Sequence, residues 1–280
     1  MKLPSITNFE GKVVAITGSA GVICSALAEA FAASKAKVAI LDLNLEKAEE
    51  VANKIRKEGG EATAFAVNCL KKEDIVACHK AVNEKYGNID ILVNGAGGNN
   101  PKASTDDEFF DDSKEGLKTF FDLDPSGIEF VFNLNFLATL LVTQEFAKDM
   151  IGRKGCSILN ISSMNAFTPL TKIPAYSGAK ASVSNFTKWL AVYFSKVGIR
   201  VNAIAPGFFS TTQNKTLLWN ADGGPTARSH KIITNTPMGR FGEVDELVGA
   251  TLFLSSEEAA SFISGVVLPI DGGFSSYSGV

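Results

Sequence analysis

Between Lys12 and Asp42 the chain leaves itself few possible folds. Lys12-Val13-Val14-Ala15-Ile16-Thr17 is an apolar run of strand length, and Gly18-Ser19-Ala20-Gly21 follows at once. Val22 to Ala33 then repeats small and apolar residues at helical spacing. A second apolar run, Lys37-Val38-Ala39-Ile40-Leu41, ends in Asp42, 24 residues after Gly18. Strand, glycine turn, helix and strand in this order predict a parallel crossover unit. The turn also carries chemistry. A helix N-terminus offers free N–H groups and a positive dipole end to a pyrophosphate, and an acid at the end of the next strand can accept both ribose hydroxyls of an adenosine.

The alternation continues without an internal repeat. Leu43 to Glu58 reads as a helix stopped by Gly59-Gly60, Ala62 to Val67 as a third strand, Lys71 to Tyr86 as a surface helix carrying His79, and Ile89 to Asn94 as a fourth strand. Further strands are expected near Ser157–Ile161, Ile199–Ile204 and Val266–Ile270, with long helices near Ser126–Ile151 and Ala175–Val197. The expected fold is α/β: a single Rossmann-type, doubly wound domain over residues 1–280, with a seven-stranded, mainly parallel sheet and helices on both faces. Ligands bind such sheets outside the C-terminal strand ends. Asp42, Asn94, Ser163 and Pro206 all stand at such ends. Two insertions, at about 99–124 and 210–237, emerge on the same side and read as substrate loops. Their aromatic residues, Phe109, Phe110, Phe120 and Phe121 in the first and Trp219 in the second, are expected to pack as small satellite cores.

Tyr176-Ser177-Gly178-Ala179-Lys180 places a phenol and an ammonium on one helix face. An unperturbed phenol, with a pKa near ~10, is a poor base at neutral pH. A cation about 4 Å away, at an effective dielectric of ~20, would favour the phenolate by about 4 kcal/mol, or roughly three pKa units. Proton transfer near neutrality is then accessible to Tyr176. Ser163, closing the fifth strand 13 residues upstream, can donate a hydrogen bond to an oxygen on which charge develops. Asn135 lies inside an apolar helix, where a buried amide needs partners.

Other chemistries lose support. H-E-x-x-H, G-x-S-x-G and the phosphate-loop pattern are missing, and only His79 and His230 are available as histidines. The four cysteines, at 24, 69, 78 and 156, show no metal-type spacing, so no metal is expected and free thiols in a reducing, cytoplasmic setting fit best. A net charge of −3 gives no basic field for nucleic acid, and neither a signal segment nor a continuous ~18-residue apolar run points to a membrane.

These residues resemble the short-chain dehydrogenase/reductase family along nearly the whole chain. The family's ordered marks appear as Thr17-Gly18…Gly21, Asp42, Asn94-Gly95-Ala96-Gly97, Asn135, Ser163, Tyr176…Lys180, Pro206-Gly207…Thr211 and Asp271-Gly272-Gly273. Val22 and Cys24 stand where glycines are usual, Gly95 replaces the second Asn of N-N-A-G, and Asn68 replaces the usual acid after the third strand. The resemblance implies catalysis by Asn135, Ser163, Tyr176 and Lys180. Tyr176 would exchange the hydroxyl proton, Lys180 would also hold the nicotinamide ribose, and Asn135 would hold a water linking the lysine to solvent. It implies cofactor contacts from Thr17, Gly18, Ser19, Gly21, Val22, Ile23, Asp42, Asn68, Cys69, Asn94, Gly95, Ala96, Tyr176, Lys180, Pro206, Gly207 and Thr211.

Asp42 favours NAD over NADP: its carboxylate suits a 2′-hydroxyl and repels a 2′-phosphate, and no Arg or Lys stands at Ser19, Ala20, Leu43 or Asn44. Cleft loops bearing Lys102, Asn165, Lys172, Gln213, Asn214 and Lys215 suit a polyhydroxylated, carboxylated ligand. Lys172, four residues before Tyr176, is the first choice for its carboxylate. The glycine-rich loop, the long insertion, Ser163-Met164-Asn165-Ala166-Phe167 and Pro206-Gly207-Phe208-Phe209 look like the D-mannonate oxidoreductase (fructuronate reductase) branch. A gluconate 5-dehydrogenase-like or other polyol dehydrogenase is the runner-up. An NADH-sensing regulator on the same scaffold would be marked by loss of the Ser, Tyr or Lys, and all three are present. The family's habit and the two long apolar helices favour a homotetramer or homodimer.

Overall fold

Seven strands, Val13–Thr17 (β1), Lys37–Asp42 (β2), Glu61–Ala66 (β3), Ile91–Asn94 (β4), Cys156–Ile161 (β5), Ile199–Pro206 (β6) and Val267–Ile270 (β7), form one sheet in the order β3-β2-β1-β4-β5-β6-β7. The structure is a computed structural model and describes residues 3–211, 215–220 and 222–279. All six strand pairings are parallel. The order reverses between β1 and β4, so a crevice opens at their C-terminal ends. There Thr17 lies level with both Leu41 and Asn94, and Asn94 with Asn160.

Helices cover both faces because the central strands have no polar side. Every residue of β1, β4, β5 and β6 is buried. Val22–Ala33 (α1) and Leu45–Lys57 (α2) bring Leu27, Phe31, Ala52 and Ile55 onto one face. Lys72–Tyr86 (α3), Ala138–Phe146 (α5) and Pro174–Tyr193 (α6) bring Ile75, Val82, Val142, Phe146 and Leu190 onto the other. Pro125–Phe132 (α4) precedes α5. The second insertion contributes Lys215–Leu218 (α7) and Ala227–Thr234 (α8), and Val248–Ser255 (α9) adds Leu252 and Leu254 to the first face.

The helix expected near 126–151 is continuous but not uniform. Between α4 and α5, residues Asn133–Leu137 form a π-turn, in which the Ala138 N–H reaches back five residues to the Asn133 carbonyl. Such one-residue expansions concentrate at functional sites, and Asn135 is at the centre of this one. Residues 125–150 are together long and apolar enough to cross a membrane. Here Ala138, Val142 and Phe146 pack into the sheet's core.

Three expectations need correction. His79 does not face solvent on α3. It is buried, with Nδ1 3.2 Å from Glu145 and Nε2 3.0 Å from Asp149, because α5 and the turn after it pack against α3 and present these acids to it. The phenylalanines of the first insertion are not a satellite core. Phe109, Phe110, Phe120 and Phe121 are 66–80% exposed, and Phe121 meets Phe110 and Phe120 edge to face. In the second insertion Trp219 does join such a core, with Leu218, Ile232 and Phe241. The sheet, finally, is wholly rather than mainly parallel.

Candidate active site

The phosphate turn is built by close contact. Gly18 has φ +66°, and a Cβ there would stand 2.9 Å from the Ala96 backbone. Only glycine lets the turn after β1 lie so near the loop after β4. Thr17 Oγ1 ties the same two segments by accepting from the Gly95 and Ala96 N–H groups, at 3.0 and 3.2 Å. Gly21 opens α1 with no side-chain cap, which leaves the first-turn N–H groups available to an anion. Asp42 closes the other end of the cleft, accepting from the N–H of Ala20 at 3.0 Å and of Asn44 at 2.9 Å. A cavity of about 570 Å³ joins these parts, lined by Gly18, Val22, Ile23, Asp42, Gly207 and Thr211 among others.

The departures at Cys24 and Gly95 turn out to be paired. A Cβ at Gly95 would lie 2.1 Å from Cys24 Sγ, so the sulfur fills the space that a larger residue after Asn94 would need. Burial pushes the Cys24 thiol up to about 12, so it acts as an apolar filler rather than a thiolate.

Several expected cofactor residues shape the cleft from behind. Ser19 is fully buried, its hydroxyl donating to the Leu41 carbonyl at 3.1 Å. Asn94 turns inward, donating to Asn160 at 2.9 Å and Thr143 at 3.0 Å, and thereby clamps β4 to β5. Asn68 accepts from the Leu70 N–H at 3.0 Å, and Cys69 is buried with its thiol also pushed up to about 12. Gly207 passes so close to Asp271 that a Cβ would meet its Cα at 2.6 Å, which explains the family's glycine after Pro206.

Asn135, Ser163, Tyr176 and Lys180 are brought together at the strand ends. Asn135 is completely buried. Its amide donates to the carbonyls of Gly98 and Val131 at 2.7 Å each and accepts from the Gly98 N–H at 3.2 Å, so it pins the loop after β4. A Cβ at Gly97 would stand 2.6 Å from Asn135 Oδ1 and 3.2 Å from Lys180 Nζ, which places amide and ammonium together where a side chain at this position would go. Ser163 ends the segment after β5, its Oγ accepting from the Asn165 N–H at 3.3 Å. Asn165 is buried beside it, and its Oδ1 has no hydrogen-bond partner among the described residues. Tyr176 is packed against Ala103, Val131 and Ala179.

The electrostatics differ from the sequence expectation. Lys180 Nζ lies 5.8 Å from the centre of the Tyr176 ring and donates to the Ile161 carbonyl at 2.8 Å, and its charge is not among the causes that shift the phenol. Burial raises the phenol above its ordinary value, and the hydrogen bond from Ser163 draws it partly back. Burial also brings the Lys180 ammonium down to about 8. The chain's own groups therefore keep Tyr176 a protonated phenol at neutral pH.

Among the expected substrate residues, Lys102 Nζ is 3.4 Å from Asp124 on an exposed rim. Lys172, at φ +71°, donates Nζ to the Asp106 carbonyl at 2.6 Å. Gln213 and Asn214 lie outside the described residues, and Lys215 starts α7. A second cavity, of about 540 Å³, opens beside the start of α6 and is lined by residues 168–173, Phe208, Glu108, Phe274 and one side of α8. The α8 residues in its wall, Arg228, Lys231 and Asn235, were not among the expected site residues. One signal was legible: no acid occurs between Gly223 and Asn235, so the cations of α8 have no local partner.

Residues 12–221 match the short chain dehydrogenase family. The chain belongs to that family. As a short-chain dehydrogenase it is an oxidoreductase acting on CH–OH groups. It is similar to a Haemophilus influenzae protein provisionally named D-mannonate oxidoreductase, solved with bound NAD, at 61% identity and a TM-score of 0.95, with 99% of this chain and 100% of that one covered. It is 33% identical to the 5-keto-D-gluconate 5-reductase of Escherichia coli over 95% of this chain and 96% of that protein. A gluconate 5-dehydrogenase from Burkholderia cenocepacia, solved with NADP and tartrate, superimposes with a TM-score of 0.82 at 31% identity, over 97% of this chain and 98% of that one.

Proposed function

We propose that this short-chain dehydrogenase uses NAD to interconvert a secondary alcohol and a ketone on a sugar acid, namely D-mannonate and D-fructuronate. The observation that carries the substrate class is the second cavity: it adjoins the helix of Tyr176, is bordered by three cations, and offers Thr168, Thr171 and Asn235 to hydroxyl groups. NAD fits the first cleft on the chain's own features: the glycine cradle, the free N–H groups of α1, and a carboxylate at Asp42 with no lysine or arginine at positions 19, 20, 43 or 44. Bound there, NAD supplies the acceptor for the carbinol hydride, or the donor for its return to the ketone.

The chain's residues manage the proton. For reduction, the Tyr176 phenol donates its proton to the oxygen of the former carbonyl while Ser163 donates a hydrogen bond to the same oxygen. For oxidation the phenolate takes the hydroxyl proton back. Raised by burial, the phenol holds its proton at neutral pH, the form that the reduction step uses. Asn135 keeps Gly97 and Gly98 tight against Lys180, fixing the ammonium at the cleft floor.

The test is NADH absorbance at 340 nm with D-fructuronate, 5-keto-D-gluconate, neutral ketoses and short ketones. The reading requires fastest turnover with the keto-uronate. A preference for 5-keto-D-gluconate would favour the activity named for the Escherichia coli relative, and a preference for neutral ketones would remove the sugar-acid assignment. Assembly into a dimer or tetramer is supported by Trp189, Val192 and Tyr193, which are 56–76% exposed along α6. Sedimentation as a monomer at micromolar concentration would exclude it.

A further inference from the structure

Three cations border the second cavity, and two are already engaged. Lys231 is ion-paired with Glu108 of the first insertion. Lys172 is held on the same insertion from two sides: its ammonium donates to the Asp106 carbonyl at 2.6 Å, and its own carbonyl accepts from the Thr105 N–H at 2.9 Å. Arg228 has no hydrogen-bond or ion-pair partner among the described residues, although its side chain lines the cavity.

Its position is as informative as its freedom. Arg228 and Phe208 are the two residues that line both the cofactor cleft and the second cavity. A carbon that exchanges hydride with a cofactor in the first and belongs to a substrate held in the second must pass this boundary. Arg228 is also the second residue of α8, whose N-cap Thr226 accepts from the Ser229 N–H at 3.2 Å. A guanidinium in the first turn adds its charge to the positive end of the helix, which is unfavourable unless an anion lies there.

We propose that Arg228 binds the substrate carboxylate and so sets the preference for sugar acids over neutral sugars. The inference rests on the sugar-acid reading above. An arginine fork matches the two oxygens of a carboxylate and pairs with them more strongly and directionally than an ammonium. Lys172 and Lys231 hold the first insertion over the cavity and shape its wall. Phe208, the other residue shared by the two cavities, gives this boundary an apolar wall.

The experiment compares the wild type with Arg228→Met and Arg228→Lys. It reads kcat and KM for D-fructuronate and for an uncharged ketose, NADH affinity by fluorescence titration, and the melting temperature. For R228M we expect KM for the acid to rise about tenfold or more, the loss expected for a charge-assisted hydrogen bond. Its KM for the neutral ketose and its NADH affinity should stay within about twofold. R228K should recover part of the loss. Arg228 is exposed, so the melting temperature should not move. An unchanged KM for the acid in R228M overturns the proposal while leaving the sugar-acid reading intact. Weaker NADH binding in proportion to the KM rise also overturns it, because the guanidinium then serves a cofactor phosphate. A wild type that prefers neutral substrates removes the sugar-acid reading itself, and the role of Arg228 falls with it.

Discussion

Replacing Gly95 with alanine tests whether Cys24 and Gly95 are interlocked. The added Cβ would start 2.1 Å from Cys24 Sγ and 2.8 Å from the Thr17 carbonyl oxygen. Comfortable contact begins near ~3.5 Å, so the sulfur overlap is about 1.4 Å. The cysteine is completely packed in the first turn of α1 and cannot swing away without moving that turn. Overpacking of this kind costs roughly 1–3 kcal/mol. Cys24→Gly alone should cost a similar amount, through a lost buried side chain and a glycine in a helix at about 1 kcal/mol. In the double variant the sulfur clash is gone and only the milder contact with Thr17 remains. The two losses should therefore fall short of their sum by about 1 kcal/mol or more. Denaturant midpoints of the four proteins, measured at one protein concentration, give the coupling. Costs that add within ~0.5 kcal/mol would refute the interlock. NADH affinity provides a second check, because Gly95→Ala pushes on the turn that presents the phosphate-binding N–H groups.

Tyr176→Phe should abolish turnover while NADH still titrates with near wild-type affinity; residual activity above a few per cent removes the phenol from the mechanism. Because burial raises the phenol, the reduction rate should fall and the oxidation rate should climb as pH is taken from neutral to alkaline, and parallel profiles in both directions would contradict this. Lys180 carries a buried charge whose folded value, about 8, lies below the ordinary lysine value of 10.5. The unfolded chain therefore binds the extra proton between those values. The penalty is fully present below pH 8 and lifts as pH rises towards 10.5, by at most about 3 kcal/mol. Lys180→Met should remove that rise from the stability-versus-pH curve and end catalysis, and an unaltered curve would show that the ammonium is not desolvated. Asp42→Ala with Leu43→Arg should weaken NAD and admit NADP, since Leu43 is 73% exposed and an arginine there is free to meet a 2′-phosphate; a wild type that already prefers NADP sinks the role given to Asp42.

Much of this was legible in the chain because the signals are local. Each strand of the sheet was visible as an apolar run, and the residues proposed for catalysis sit at strand ends or at fixed helical spacing. What failed depended on contacts between distant segments. His79 looked exposed on its own helix, and only the packing of α5 against α3 shows Glu145 and Asp149 enclosing it. The charge on Tyr176 was misjudged because a four-residue helical spacing fixes a face and says nothing of burial, which raises the phenol, while Lys180 donates to the Ile161 carbonyl. Arg228 was passed over because its importance lies in which neighbours have found partners. Lys172 and Lys231 are engaged by the first insertion, more than 60 residues away in the chain. The link between Cys24 and Gly95 was hidden in the same way: each departure looked like a loss until its neighbour was known.

The π-turn has a consequence for how this chain can change over time. Asn135 needs a fixed position against the strand ends, whereas the first insertion, which feeds directly into α4, lies outside the sheet's core. A uniform α-helix would set Val131, Ala138 and Val142 on nearly one stripe; with the wider turn between them, Val131 packs with Ala103 of the insertion while Ala138, Val142 and Phe146 pack into the sheet's core. The turn is a joint between an upstream half that packs on the first insertion and a downstream half that packs on the sheet. Removing one residue from 133–137 would restore a regular helix and leave the two halves close to their present facing, because the wide turn already absorbs the ~100° of the extra residue. New substrate loops can thus be tried above the joint without disturbing the proton-handling residues below it.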